Sequence, residues 1–205
     1  MQNTVMHRGI NFVVHFTRAK NLESILKHGI LPISELQTYR IDYERNDDYR
    51  LDGCHDASSF SIGFPNYRMF YKYRLDNPNV DWVVLGVKKE VLWEKNCAFC
   101  VENAAKTSIS NSSIAERSGV FAFKSLYEEF PEKPSRQTLK LHQSLPTNPQ
   151  AEVLVFGKVE PHFIFAVAFE SEEVKDKYKY LLTENVSFEV QKWLYNGRHD
   201  YVHWR

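Results

Sequence analysis

The sequence predicts an α+β domain built on a mixed or antiparallel sheet, and three observations carry that expectation. Short apolar runs rich in β-branched and aromatic residues recur along the chain, while helical patterns are few. No regular strand-helix-strand alternation marks a doubly wound parallel sheet. No Gly-x-Gly-x-x-Gly or Walker sequence occurs, which excludes the commonest dinucleotide and nucleotide scaffolds.

Taken in order, Gly9-Ile10-Asn11-Phe12-Val13-Val14-His15-Phe16 is apolar, β-branched and short, and reads as a strand. A helix follows, because Leu22, Ile25 and Leu26 have helical spacing. Asn21 stands where its N-cap belongs and Gly29 where its C-terminal cap belongs, just ahead of Pro32. Residues 38–56 are almost wholly polar and read as a solvated loop. Residues 58–64 form the next expected strand, ended by Pro65. Further strands are expected at 82–87, 151–156 and 163–169, and Ser171-Glu172-Glu173-Val174 opens a helix with an acidic first turn. The alternation in Asp200-Tyr201-Val202-His203-Trp204 predicts a last strand.

Composition then narrows the function. The 205 residues suffice for one good core, and no repeat or linker divides them, so a single domain over 1–205 is expected. The chain is 43% hydrophobic, 14% aromatic and 25% charged, which excludes disorder, collagen and coiled coil. Twenty-six basic residues offset twenty-six acidic ones, so any contact with nucleic acid must be local rather than a broad grip on phosphates. The N-terminus lacks an apolar leader and no run of roughly 18 apolar residues occurs, so a cytoplasmic protein without a membrane partner is expected. Cys97-Ala98-Phe99-Cys100 has the spacing of a zinc or redox pair, but no second Cys/His pair stands at ligand spacing. Buried reduced thiols, and no metal, are the expectation.

Three segments carry a resemblance. They are His15-Phe16-Thr17 with Asn21-Leu22-Glu23-Ser24-Ile25-Leu26, then Asn66-Tyr67-Arg68-Met69-Phe70-Tyr71, then Asn148-Pro149-Gln150-Ala151-Glu152-Val153-Leu154-Val155. From about residue 11 to about residue 175 the chain resembles the DarT family, bacterial toxins that transfer ADP-ribose from NAD to bases of single-stranded DNA. The resemblance implies an ADP-ribosyltransferase-like split sheet with flanking helices, NAD as co-substrate, single-stranded DNA as acceptor and a macrodomain-type antitoxin that reverses the modification. It assigns His15, Thr17 and Asn21 to the NAD pocket and makes Glu152 the essential carboxylate. It also implies a functional arginine in the polar segment before the second strand, for which Arg50 is preferred over Arg40 and Arg45. The thymidine-modifying branch carries a Tyr-Val-Pro-Phe-Tyr-like second strand where this chain has Ser59-Phe60-Ser61-Ile62, which leaves the modified base open.

The chemistry asks for these residue types on its own account. Cleaving the nicotinamide–ribose bond builds an oxocarbenium-like charge that a fixed carboxylate stabilises, and Glu152 at a strand start meets that demand. The plain alternative is a solvent-facing Glu on an edge strand. Arg50 can pair with the pyrophosphate through two donors, or stand as a solvated loop charge. His15 in an apolar strand can equally be a satisfied core residue. Nicotinamide is expected to stack on an aromatic among Phe64, Phe70 and Tyr71.

In the run from Asn66 to Arg74, aromatics alternate with Arg68, Lys72 and Arg74, a composition that stacks bases and pairs phosphates; the alternative is a half-buried helix with snorkelling cations. Residues 131–149, with Lys133, Arg136, Lys140 and His142, read as a substrate-facing loop leading to Asn148 and Gln150 as substrate contacts. Two other functions compete: an ADP-ribosyltransferase acting on RNA or protein, and a non-catalytic nucleotide-binding module, against which the intact Glu152, Arg50 and His15 argue.

Overall fold

The computed structural model describes residues 1–39, 43 and 53–204. Its first half runs α1 Gln2–His7, β1 Phe12–Arg18, α2 Leu22–His28, α3 Ile33–Tyr39, β2 Ala57–Ile62, α4 Tyr67–Asp76 and β3 Trp82–Lys88. The second runs α5 Val91–Glu94, β4 Cys97–Cys100, α6 Thr107–Ser110, α7 Gly119–Ser125, β5 Glu152–Phe156, β6 Ile164–Phe169, α8 Glu172–Tyr178 and β7 Ser187–Val190. The described strands form one seven-stranded sheet in the order β4-β5-β2-β1-β3-β6-β7. Every pair is antiparallel except β6–β7, so the sheet is mixed, and helices flank it, as the sequence predicts.

One junction in this sheet is weak. β1 pairs with β3 along its whole length, from Phe12↔Lys88 to Arg18↔Trp82. With β2 it pairs at Val13↔Ile62 and Val14↔Ser61 alone. β2 in turn pairs with β5 from Ala57↔Phe156 to Phe60↔Val153. Past Val14 the sheet therefore divides into two halves, and a gap opens between β1 and β2.

Side chains alternate across the strands, and the alternation sets the register. Val13, Phe60, Ile62, Val153 and Val155 share one core with Leu22 of α2. Val14, Val84 and Ala168 face the other side, where Phe70 of α4 and Tyr195 cover them. Fully burying such a side chain contributes about 1.5–3 kcal/mol, so a one-residue slip would forfeit several of these at once.

Several boundaries depart from the sequence reading. Residues 9–11 precede the strand instead of joining it, because Gly9, at φ 65, ends the unexpected helix α1 that fully buries Val5. The expected loop from residue 38 begins inside α3. β4 and β7 are short strands that no alternation announces. Residues 201–204 form a 3-10 turn and not a strand: Trp204 Nε1 donates back to Asp200 Oδ2 at 2.8 Å, and His203 N to Asp200 O at 3.0 Å. Gly29 does end α2, and for two reasons. Its φ is +89, and a Cβ there would lie 2.3 Å from Val159 O.

Candidate active site

The gap between β1 and β2 is a cavity, and the residues around it come from both halves of the sheet. His15 spans it. Where the β1–β2 ladder stops, His15 Nδ1 donates to Ser59 O at 2.8 Å and ties β1 to β2 across the gap. A carbonyl can only accept, so in the neutral ring the lone pair sits on Nε2. Phe60 holds the imidazole from the side, with centroids 5.2 Å apart. Thr17 is 3% exposed, and Asn21 Nδ2 donates to its Oγ1 at 3.1 Å. Asn21 stands just before α2 as expected but makes no side-chain cap bond, because its amide turns into the cavity.

Glu152 closes the opposite wall. It is the first residue of β5, lies directly across from Cys100 on β4, and is 4% exposed. Asn66 holds it, with Nδ2 donating to Glu152 Oε1 at 3.1 Å. Asn66 is itself fixed at two further points: its Oδ1 accepts from Met69 N at 3.3 Å, capping α4, and its backbone N–H donates to Ser61 Oγ at 3.2 Å. A buried carboxylate oriented by a buried amide faces the cavity with little freedom, which is the arrangement that charge stabilisation requires.

β4, which pairs with the strand that carries Glu152, holds two buried thiols. Burial pushes the Cys97 thiol up to about 12. Burial likewise raises Cys100 to about 11, with the charge of Glu152 adding to the rise and Arg117 opposing it. Arg117, 7% exposed, donates Nη1 to Cys100 Sγ at 3.5 Å. It places a buried positive charge behind the cross-strand partner of Glu152. No His, Cys, Asp or Glu cluster able to hold a metal ion occurs among the described residues.

The other expected site residues are dispersed. Phe64 and Tyr71 do not line this cavity: Phe64 packs against Trp193, and Tyr71 is 56% exposed. Phe70 is in the core. The helical period explains the exchange, since Asn66, Met69 and Tyr73 stand on the face of α4 that meets the cavity while Tyr71 is turned away. Arg68 Nη1 donates to Trp204 O at 2.6 Å and Arg74 Nη1 to Glu170 at 3.0 Å, so both are tied into the fold. Lys72 pairs with Asp76 at 2.8 Å on the exposed surface. Asn148 is buried, and its Oδ1 accepts from Gln150 N at 2.9 Å, closing the turn that delivers Glu152. Gln150 is half-buried. Arg50, with Arg40 and Arg45, lies outside the described residues.

Sequence reasoning missed the roles of Asn66, Met69 and Tyr73. An Asn directly after Pro65 and before a helical run is an N-cap signal, and drawing the helix from it would have put Met69 and Tyr73 on the inner face. Arg198 had no such signal. It is 3% exposed, bonds Asp200 at 2.6 Å, and donates to Pro146 O and Thr147 O at 2.7 Å each, anchoring the loop ahead of Glu152. No described helix is long and apolar enough to cross a membrane.

Comparison with known proteins gives a consistent answer. Residues 14–202 match the family described as DarT, ssDNA thymidine ADP-ribosyltransferase. No curated protein matches the sequence. Among solved structures, Thermosipho africanus DarTG in complex with ADP-ribose is similar at TM-score 0.66 and 17% identity, over 90% of this chain and 51% of that one. The chain thus spans about half the length of that relative. Thermus sp. 2.9 DarT in complex with carba-NAD+ is similar at TM-score 0.59 and 14% identity, over 91% of this chain and 98% of that one. The same protein in complex with ADP-ribosylated ssDNA is similar at TM-score 0.54 and 14% identity, over 92% and 97%. At these identities the likeness shows the fold, and the family assignment rests on the sequence match across nearly the whole chain. The chain belongs to the DarT family.

Proposed function

We propose that this chain transfers ADP-ribose from NAD to a base in single-stranded DNA and releases nicotinamide. The observation that carries this reading is Glu152, a buried carboxylate held by Asn66 across a cavity from His15, Thr17 and Asn21. The family match and the NAD-type and single-strand complexes of the Thermus sp. 2.9 relative support it. NAD enters as a co-substrate. As the bond from the ribose anomeric carbon to the nicotinamide nitrogen breaks, positive charge grows on the sugar, and Glu152 stabilises it. A base nitrogen then attacks that carbon, and its proton leaves to Glu152 or to solvent. His15, Thr17 and Asn21 position the dinucleotide, and Arg50 pairs with its pyrophosphate or aids proton removal from the base.

A single strand is the favoured acceptor because its bases are already unstacked, whereas a chain of zero net charge lacks the broad basic surface needed to distort a duplex. The same reading makes residues 1–205 one domain. It also places the chain in the bacterial cytoplasm, as a toxin with a macrodomain-type antitoxin that removes the ADP-ribose.

The test is incubation with NAD labelled in its adenosine half, together with separate pools of single-stranded DNA, duplex DNA, RNA and protein. Label on single-stranded DNA with matching nicotinamide release is the expected result. Label confined to RNA or protein would overturn the acceptor, and absence of nicotinamide release would overturn the enzyme.

A further inference from the structure

We infer that a second recess, bounded by Phe12, Phe64, Leu145 and Trp193, holds a neighbouring base of the bound single strand and sets sequence preference. The inference rests on the single-strand reading and adds a subsite to it. The recess adjoins Glu152 along the chain in two ways. Phe64 lies two residues before Asn66, whose amide holds Glu152, so at roughly 3.5 Å per residue its backbone is within about 7 Å of the Asn66 backbone. Leu145 lies in the loop that Arg198 fixes on its way to Glu152. With the Asn66 side chain and its 3.1 Å bond to Glu152 also counted, and at about 3.4 Å or more per nucleotide along a strand, the recess lies within a few nucleotides of Glu152.

The chemistry of the lining selects a base. Phe64 and Trp193 pack at 5.7 Å between centroids, and Trp193 is 46% exposed, so part of an aromatic pair is presented to solvent. Trp193 is held in place, its Nε1 donating to Gln191 Oε1 at 2.7 Å. Stacking on such a face accepts any base. Edge contacts then discriminate, and two exposed groups line the recess to make them, Asn11 and His142. His142 Nδ1 accepts from Ser144 N at 3.3 Å, so the neutral ring carries its proton on Nε2 as a donor. Asn11 offers both a donor and an acceptor. Lys192, exposed and adjacent to Trp193, supplies charge for a phosphate.

The experiment uses the full chain with NAD and single-stranded oligodeoxynucleotides randomised at each position around the modified base. Trp193→Ala is expected to raise the oligonucleotide KM roughly five- to a hundred-fold and to flatten the preference at one fixed offset from the modified base. NAD hydrolysis without DNA should stay unchanged, and Trp193→Phe should restore most of the affinity. His142→Ala should flatten the preference with a smaller change in KM. If the unaltered chain labels single strands and Trp193→Ala leaves both KM and preference unchanged, the subsite is wrong and the transferase reading stands. If the unaltered chain labels no single strand, both fall together.

Discussion

Asn66 donates from Nδ2 to Glu152 Oε1 at 3.1 Å while its Oδ1 caps α4, so one side chain both starts a helix and orients the carboxylate. Asn66→Ala is expected to cost about 1 kcal/mol through the lost cap and to lower nicotinamide release by roughly tenfold or more. Asn66→Asp keeps the cap but sets a second carboxylate against Glu152, so one of the two holds a proton to higher pH than a lone carboxylate. Its pH–rate profile should move to higher pH, and a profile matching that of the unaltered chain would contradict the pairing.

Arg198 and Asp200 form a buried ion pair, with side chains 3% and 1% exposed. Burial opposes the charge on Asp200, but the Arg198 bonds and charge, with the Trp204 indole, more than offset this and hold the carboxyl below its ordinary value. A depressed carboxylate stabilises the fold above its unfolded value of about 3.9, and that stability is lost as pH falls through the lower folded value. Acid unfolding should therefore set in below about pH 4. Asp200→Ala leaves Arg198 buried and uncompensated, at a cost of about 3–5 kcal/mol. Thermal unfolding of the variant at neutral pH checks this, and an unchanged Tm would contradict it.

Cys97 and Cys100, held at about 12 and about 11 by burial, carry almost no thiolate at pH 8. Alkylation followed by mass spectrometry should leave both unmodified in the folded chain and modify both in denaturant. Modification of the folded chain at the rate of an exposed thiol would show that β4 opens readily.

Long elements with one dominant pattern were legible. The helix Leu22–His28 with its cap at Gly29 and the strands around Val13, Val84 and Val153 are written in local pattern, and so is the helix opening at Ser171-Glu172-Glu173-Val174, where Ser171 accepts from Val174 N. Residues 201–204 misled because alternation is also what a tight turn gives when a single buried acid, Asp200, gathers the donors. For the site, the family resemblance points to Glu152, His15, Thr17 and Asn21, and the fold gathers all four at one cavity. The gap that unites them was not legible, since it depends on β1 and β2 pairing at two positions and then separating. Phe64 and Tyr71 stand outside this cavity for different reasons: Phe64 precedes α4 and packs on Trp193, whereas the phase of α4 turns Tyr71 outward.

Glu152→Gln tests the central claim most directly, because it keeps the shape and the Asn66 contact while removing the charge. The measurement is steady-state nicotinamide release with single-stranded DNA present, alongside NAD affinity and Tm. The account predicts a loss on the order of a hundred- to a thousand-fold in turnover, with NAD affinity within a few-fold and a similar Tm. Turnover near that of the unaltered chain would contradict it.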